Sequence, residues 1–146
     1  MSCIFCSILE GTAPASVVYE DEAAIVIMDI RPTRPGQLVI VPREHIDHFA
    51  DLPDELAGRL FLLGQRIARA MRRALNPRRV GMIVHGLGVR HAHLAVLPLE
   101  HAWDITAAQF SYIENGEVRF RPDQVALAPR AELDSLAARL REALSA

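Results

Sequence analysis

The stretch that most constrains the fold of this chain runs from residue 90 to 98, with the sequence RHAHLAVLP. Histidine and small residues alternate there with apolar ones until a proline ends the run, which is typical of a β-strand. Because side chains on a strand alternate between faces, we expect His91, His93 and Ala95 to share one face. Two neighbouring imidazoles can serve metal binding or phosphate chemistry, or they can simply line a half-buried face.

The rest of the chain alternates strand and helix patterns. Apolar residues recur every three or four positions at 53–75 and at 131–144, which indicates two amphipathic helices. A shorter helix is expected at 3–10, and Asn115-Gly116 predicts a hairpin at 112–120. Further strands are predicted at 17–20, 23–30, 37–41 and 80–84. These elements predict an α+β fold, with an antiparallel sheet of about five strands and the long helix on one face.

Composition excludes several classes of function. The 146 residues suit one domain, expected to span 1–146. The net charge of −2 and the pI of about 6.3 give no electrostatic case for nucleic-acid or membrane-surface binding. No apolar run is long enough to span a bilayer, and no secretory signal is visible, so a cytoplasmic protein is expected.

Both cysteines lie close to the start of the chain, as Cys3-x-x-Cys6. A reducing cytosol disfavours a structural disulfide. A thioredoxin-like redox pair normally follows a strand, and two residues precede Cys3. A metal half-site would need two further ligands, for which the histidines are candidates.

The histidine strand resembles the motif of the histidine triad (HIT) family, His-x-His-x-His followed by apolar residues. Ala95 replaces the third histidine. Other segments resemble the family in its order, over about residues 3 to 98: Cys3 to Cys6 with Ile8, 18–21, 28–30, and Gly36 through 42–46. The resemblance implies a HIT-like sheet as the core at about 3–98, a C-terminal extension at 99–146 carrying the hairpin and the second helix, and a homodimer.

In some bacterial members of that family, zinc is held by the C-x-x-C pair, by the histidine after the Val-Pro-x-x segment and by the first motif histidine. All four positions are filled here, by Cys3, Cys6, His45 and His91. The resemblance therefore implies a closed structural zinc site that ties the N-terminus to the sheet. The alternative is that the cysteines are small apolar residues and the histidines surface residues.

The resemblance also implies nucleotide chemistry. The middle motif histidine, His93, would attack the α-phosphorus of a nucleotide and form a nucleotidyl-histidine intermediate that water hydrolyses. Asp29 would hydrogen-bond the ribose hydroxyls. The base would be held by apolar residues, each of which also fits a plain core: Ile4, Phe5, Ile8, Ile27, Met28 and Ile30.

Several positions depart from the family pattern. Gln37 stands where the family usually has histidine, and Leu87 and Gly88 stand where it has Gln and then Ser or Thr. Each lost donor to a developing anion typically costs about 10²–10³ in rate. The leading hypothesis is a hydrolase or transferase acting on a phosphoramidate or a dinucleotide polyphosphate. The alternatives are a zinc-stabilised nucleotide-binding protein without catalysis and, third, a redox protein using Cys3 and Cys6.

Overall fold

A five-stranded antiparallel sheet in the order β1-β2-β3-β5-β4 forms the centre of the computed structural model, which describes residues 2–106 and 108–146. The sheet strands are β1 Val17–Glu20, β2 Ala24–Met28, β3 Leu38–Pro42, β4 Arg79–Ile83 and β5 Leu94–Leu99. The helices are α1 Ile4–Leu9, α2 Asp54–Leu75 and α3 Arg130–Ser145. A separate hairpin joins β6 Ser111–Glu114 to β7 Glu117–Phe120. The predicted α+β fold is confirmed; Met1 and Ala107 of the predicted domain lie outside the described residues.

The two faces of the sheet are covered differently, because successive strand residues point to opposite sides. Val26, Leu38 and Ile40 face α2 and α3 in the larger cluster of buried residues. Ile27 and Val39 face the opposite way, into a smaller cluster with Phe5 of α1. Ala95 packs against this second cluster, so α1 and the histidine segment lie on the face away from the long helices.

The predicted extent of the histidine strand was wrong. β5 begins at Leu94, opposite Ile40 of β3, so the histidines precede it. The backbone N–H of Ala92 donates to the Ile46 carbonyl at 2.7 Å and not to a neighbouring strand. The imidazoles therefore project from a short irregular segment, which the alternation of residue types does not distinguish from strand.

The C-terminal extension packs against the core. Leu133 and Leu140 of α3 are buried in the cluster shared with α2. The backbone N–H of Ala128 donates to the Ile30 carbonyl at 2.9 Å, just after β2. The predicted hairpin turn is confirmed, since Asn115 and Gly116 both have positive φ. Across the described residues, no helix combines the length and the apolar character needed to cross a membrane.

Asp21 ties the turn between β1 and β2 to helix α2. Its carboxylate accepts the backbone N–H groups of Ala23 and Ala24, at 2.8 and 2.9 Å, and the Tyr19 hydroxyl at 2.9 Å. Arg59 of α2 lies 3.0 Å away. Burial raises the pKa of Asp21, but these donors outweigh it and lower the pKa to about 2.

We predict that Asp21→Asn destabilises the protein at neutral pH. A carboxylate whose folded pKa is depressed stabilises the fold above its unfolded pKa, and this contribution is lost as pH falls from about 4 to about 2. The expected loss at pH 7 is about 2 kcal/mol, measured by urea denaturation. The difference from wild type should shrink at acid pH. Glu22→Gln, which alters an exposed partner of the same arginine, is the control and should change stability less; equal effects would contradict this account.

Candidate functional site

Four predicted metal ligands converge beside α1. Cys3 is the N-cap of α1 and Cys6 lies one turn later, so both thiols face the sheet. The Sγ of Cys3 lies 3.5 Å from Nδ1 of His91, and the Sγ of Cys6 lies 3.2 Å from Nδ1 of His45 and 3.7 Å from Nδ1 of His91. All four donor atoms lie within 4.8 Å of one another.

These separations fit a tetrahedral metal site. With zinc–sulfur bonds of about 2.3 Å and zinc–nitrogen bonds of about 2.0–2.1 Å, tetrahedral angles place sulfur and nitrogen ligands about 3.5 Å apart. The three observed distances, 3.2, 3.5 and 3.7 Å, bracket that value. Both cysteines are free thiols, and each contacts an imidazole. This arrangement favours a metal site over a redox pair.

His91 is oriented by a hydrogen bond behind the cluster. Its side chain is completely buried, and Nε2 lies 2.8 Å from the Pro42 carbonyl of β3. A carbonyl oxygen only accepts, so Nε2 carries the proton and Nδ1 presents its lone pair to the cysteines. Burial lowers the pKa of His91, and this effect outweighs the hydrogen bond to the Pro42 carbonyl, which raises it. The lowered pKa favours the neutral ring that a metal ligand must have.

The surroundings of the Cys6 thiol raise its pKa. Burial, the Cys3 side chain beside it and the charge of Glu10 all raise its pKa. A cation between the two sulfurs would reverse this balance, because metal coordination deprotonates thiols.

His93 is held with one ring nitrogen free. Its Nδ1 lies 2.8 Å from the backbone carbonyl of His91, which only accepts, so Nδ1 carries the proton and the Nε2 lone pair is available. The Phe5 ring contacts the His93 ring edge-on, with 5.1 Å between centroids, and fixes its orientation. An imidazole held in this way is a competent nucleophile.

A small cleft of about 30 Å³ contains His93. The residues lining it are Asp47, His48, Phe49, Val84, His85, Gly86, Ala92 and His93. The His85 ring faces the His93 ring at 6.3 Å between centroids. Arg90 forms an ion pair with Asp47 at 2.9 Å, which offsets the one carboxylate among these lining residues.

The carboxylate of Asp29 lies just past the end of β2 and is already hydrogen-bonded. Its Oδ1 accepts the Arg31 backbone N–H, and its Oδ2 accepts Nε2 of Gln37, both at 2.8 Å. Gln37 is itself anchored, because its Oε1 accepts the Thr33 backbone N–H at 3.0 Å. The Gln37 side chain therefore orients Asp29.

The predicted base-binding residues are only partly brought together. Phe5, Ile8 and Ile27 lie in the cluster on the α1 face. Ile4, which precedes Phe5 in the sequence, is half exposed. Ile30 is also half exposed, in the loop after β2. The Met28 side chain is buried in the cluster on the α2 face, away from this group.

Ala95, Leu87 and Gly88 lie on either side of His93 in the sequence. Ala95 is half-buried on β5, where its methyl group packs toward the cluster around Phe5. Leu87 and Gly88 are exposed in the loop between β4 and β5. None of the three supplies a side-chain donor.

Sequence reasoning missed two supporting groups, Gln37 as the partner of Asp29 and the Pro42 carbonyl as the acceptor for His91. The partnership of Gln37 depends on the pairing of β2 with β3, in which Met28 lies opposite Leu38. The acceptor of His91 is a backbone atom, so no residue type identifies it. Neither contact leaves a signal in a single sequence.

Comparison with known proteins gives one consistent family. The model of the HIT domain matches residues 10–102. A HIT-like protein of Mycobacterium tuberculosis is 36% identical over 118 residues, covering 75% of this chain and 79% of that protein. An adenosine 5′-monophosphoramidase of Schizosaccharomyces pombe is 30% identical over 104 residues, covering 67% and 74%. A Zn-bound histidine triad family protein of Mycobacterium smegmatis has the same fold, with a TM-score of 0.74 and 31% identity over 99% of this chain and 94% of its own.

We predict opposite tautomers for the two motif histidines. His91 should carry its proton on Nε2 and His93 on Nδ1, because each donates to a fixed backbone carbonyl. Nitrogen NMR of isotope-labelled protein at neutral to mildly alkaline pH distinguishes the tautomers directly. A His93 ring protonated at Nε2 would contradict the assignment of that atom as the nucleophile.

Proposed function

This chain belongs to the HIT domain family, and on that premise we propose that it is a hydrolase or transferase acting at the α-phosphorus of a nucleotide, through His93. The single observation that carries the proposal is the 2.8 Å hydrogen bond from His93 Nδ1 to the His91 carbonyl. That bond frees the Nε2 lone pair and stabilises the positive charge that builds on the ring during attack. The adenosine 5′-monophosphoramidase among the relatives supports a phosphoramidate substrate.

The proposed reaction has two steps. The His93 Nε2 lone pair attacks the α-phosphorus, a nitrogen–phosphorus bond forms, and the bond from phosphorus to the leaving group breaks. The leaving group departs with a proton taken from solvent. Water then attacks the same phosphorus and loses one proton to solvent. The nitrogen–phosphorus bond breaks, and a nucleoside monophosphate leaves while the ring returns to its neutral form. Throughout, the His91 carbonyl accepts the Nδ1 proton and keeps the ring in place.

The nucleotide would be held on the α1 face. Asp29 is placed to accept ribose hydroxyls with the lone pairs that Arg31 and Gln37 leave free. Phe5, Ile8 and Ile27 supply an apolar surface for the base. Ile4 and Ile30 are about half exposed, which suits residues that close over a ligand.

We predict that His93→Ala abolishes turnover. With an adenosine 5′-phosphoramidate as substrate, release of the monophosphate should fall by about 10³-fold or more, because the covalent route is lost. Binding of adenosine monophosphate, measured by calorimetry, should change much less, since base and ribose contacts lie elsewhere. Mass spectrometry of quenched wild-type reactions should find the nucleotidyl group on His93.

The alternative function is a zinc-stabilised nucleotide-binding protein without catalysis. Ala95, Leu87 and Gly88 favour it, because none provides a donor for the transition state. Wild-type protein that binds adenosine monophosphate but shows no turnover and no nucleotidyl-His93 would establish this alternative.

A single structural zinc ion completes the proposal. Cys3, Cys6, His45 and His91 have the donor atoms and spacing for it, and a Zn-bound relative supports it. The ion would supply a cross-link between α1 and the histidine segment. Because the backbone carbonyl of His91 orients His93, this cross-link would also hold the nucleophile in position.

We predict one zinc per chain in protein purified without added metal. Elemental analysis should show that Cys3→Ala and His45→Ala lose it, with a lower melting temperature. His101→Ala is the matched control, because that histidine stacks on Trp103 outside the cluster and should leave the zinc content unchanged. Zinc retained in both ligand variants would contradict the assignment.

The homodimer implied by the resemblance and the cytoplasmic location expected from the sequence remain predictions. Two features support a dimer. β4 is at one edge of the sheet, where it pairs with β5 on one side, and edge strands offer further pairing. The second feature is the pair of apolar side chains Phe61 and Leu62 on α2, which are 59% and 61% exposed.

A further inference from the structure

A second imidazole faces the proposed nucleophile from the opposite side of the cleft. The His85 and His93 rings lie 6.3 Å apart between centroids, with 73° between their planes. His85 is exposed, in the loop that follows β4, so a ligand can reach it. The cleft therefore contains an imidazole to which the proposed function assigns no role.

The tautomer of the neutral His85 ring is set by a hydrogen bond within its own loop. Its Nδ1 lies 3.1 Å from the backbone nitrogen of Leu87, whose N–H donates to it. In a neutral ring the proton then has to be on Nε2. Among the described residues, no acceptor for this Nε2–H is found. The exposed His85 ring therefore presents a positioned Nε2–H donor that no described residue accepts.

The two rings leave room for one phosphoryl group between them. For attack, the phosphorus must lie about 3–3.5 Å from Nε2 of His93. A non-bridging oxygen, one bond further on, must lie about 2.7–3.2 Å from the donor nitrogen of the opposite ring. The 6.3 Å between the ring centroids, beside one small cleft, is compatible with both contacts to a single phosphoryl group.

The other histidines are less suitable. His48 also lines the cleft, but its ring stacks on Phe49 at 5.0 Å and its Nδ1 caps the short helical turn at Phe49–Asp51 by accepting the Ala50 N–H. His101 stacks on Trp103 and borders a different depression, beside Arg78 and Leu99. His101, which lies outside the cleft, is therefore the matched control for His85.

We propose that His85 donates its Nε2–H to a non-bridging oxygen of the substrate's α-phosphate, and so supplies the donor that Ala95 lacks. This assignment rests on the proposed function, because it places the α-phosphate against His93. The Nε2 atom of His85 keeps its proton throughout, and its hydrogen bond strengthens as negative charge builds on the phosphoryl oxygens. The reaction thus keeps a phosphate-binding donor, contributed by a loop instead of the strand.

The first test is kinetic. His85→Phe keeps a ring but removes the donor, and kcat for an adenosine phosphoramidate should fall by about 10²-fold or more. His85→Asn, which restores an N–H donor, should recover part of that loss. His101→Phe should stay within about threefold of wild type. Equal losses in the His85 and His101 variants, or no recovery with asparagine, would overturn the proposal.

The second test does not depend on turnover. Calorimetry compares adenosine monophosphate with adenosine, which lacks the phosphate. His85→Phe should weaken binding of the monophosphate by about tenfold, the effect of one hydrogen bond to a charged group, and leave adenosine binding unchanged. If wild type does not hydrolyse but this difference is present, the proposed enzyme activity fails and the phosphate contact stands. If turnover requires His93 but neither kcat nor binding of the monophosphate changes in His85→Phe, the proposed enzyme activity stands and the phosphate contact fails.

Ala95→His adds a further discrimination. An imidazole at position 95 should raise turnover more in the His85→Phe background than in wild type, because wild type already has the donor. The same gain in both backgrounds would overturn the assignment. Should His85→Phe fail to fold, His85→Ala provides the same comparisons.

Discussion

The candidate site depends on the buried imidazole of His91, which is hydrogen-bonded on both sides. Its Nε2–H donates to the Pro42 carbonyl of β3, and its Nδ1 faces the cysteines of α1. Its own backbone carbonyl accepts the proton of His93. One residue therefore connects the sheet, the N-terminal helix and the candidate nucleophile. A buried polar ring of this kind is tolerated because each of its polar atoms has a partner.

The division of the sheet into two faces separates the candidate site from most of the core. Helices α2 and α3 bury the larger cluster on one face, which contains most of the apolar core. The histidines, α1 and the candidate nucleotide pocket occupy the other face. Ala95, Leu87 and Gly88 lie on this second face or in its loop. None of these three residues belongs to the larger cluster, so the packing of the sheet against α2 and α3 does not depend on them.

Local hydrogen bonds orient two polar side chains near the candidate site. The Gln37 amide donates to the Asp29 carboxylate. Leu87 has no polar side chain, but its backbone N–H donates to Nδ1 of His85 and sets the tautomer of that ring. A count of histidines and hydroxyl groups in the sequence does not reveal support of this kind.

The sequence by itself determined the fold class, the long helix at 53–75, the turn at Asn115-Gly116 and the identity of the four candidate metal ligands. Those features follow from local periodicity, from turn chemistry and from a motif order that resembles a known family. Tertiary structure decided where β5 begins, which face Met28 occupies, what holds Asp29 and where the His85 ring lies. The face that Met28 occupies and the contact of Gln37 with Asp29 depend on the register of β2 with β3. Strand register is a property of the assembled sheet, so a local pattern of residue types does not determine it.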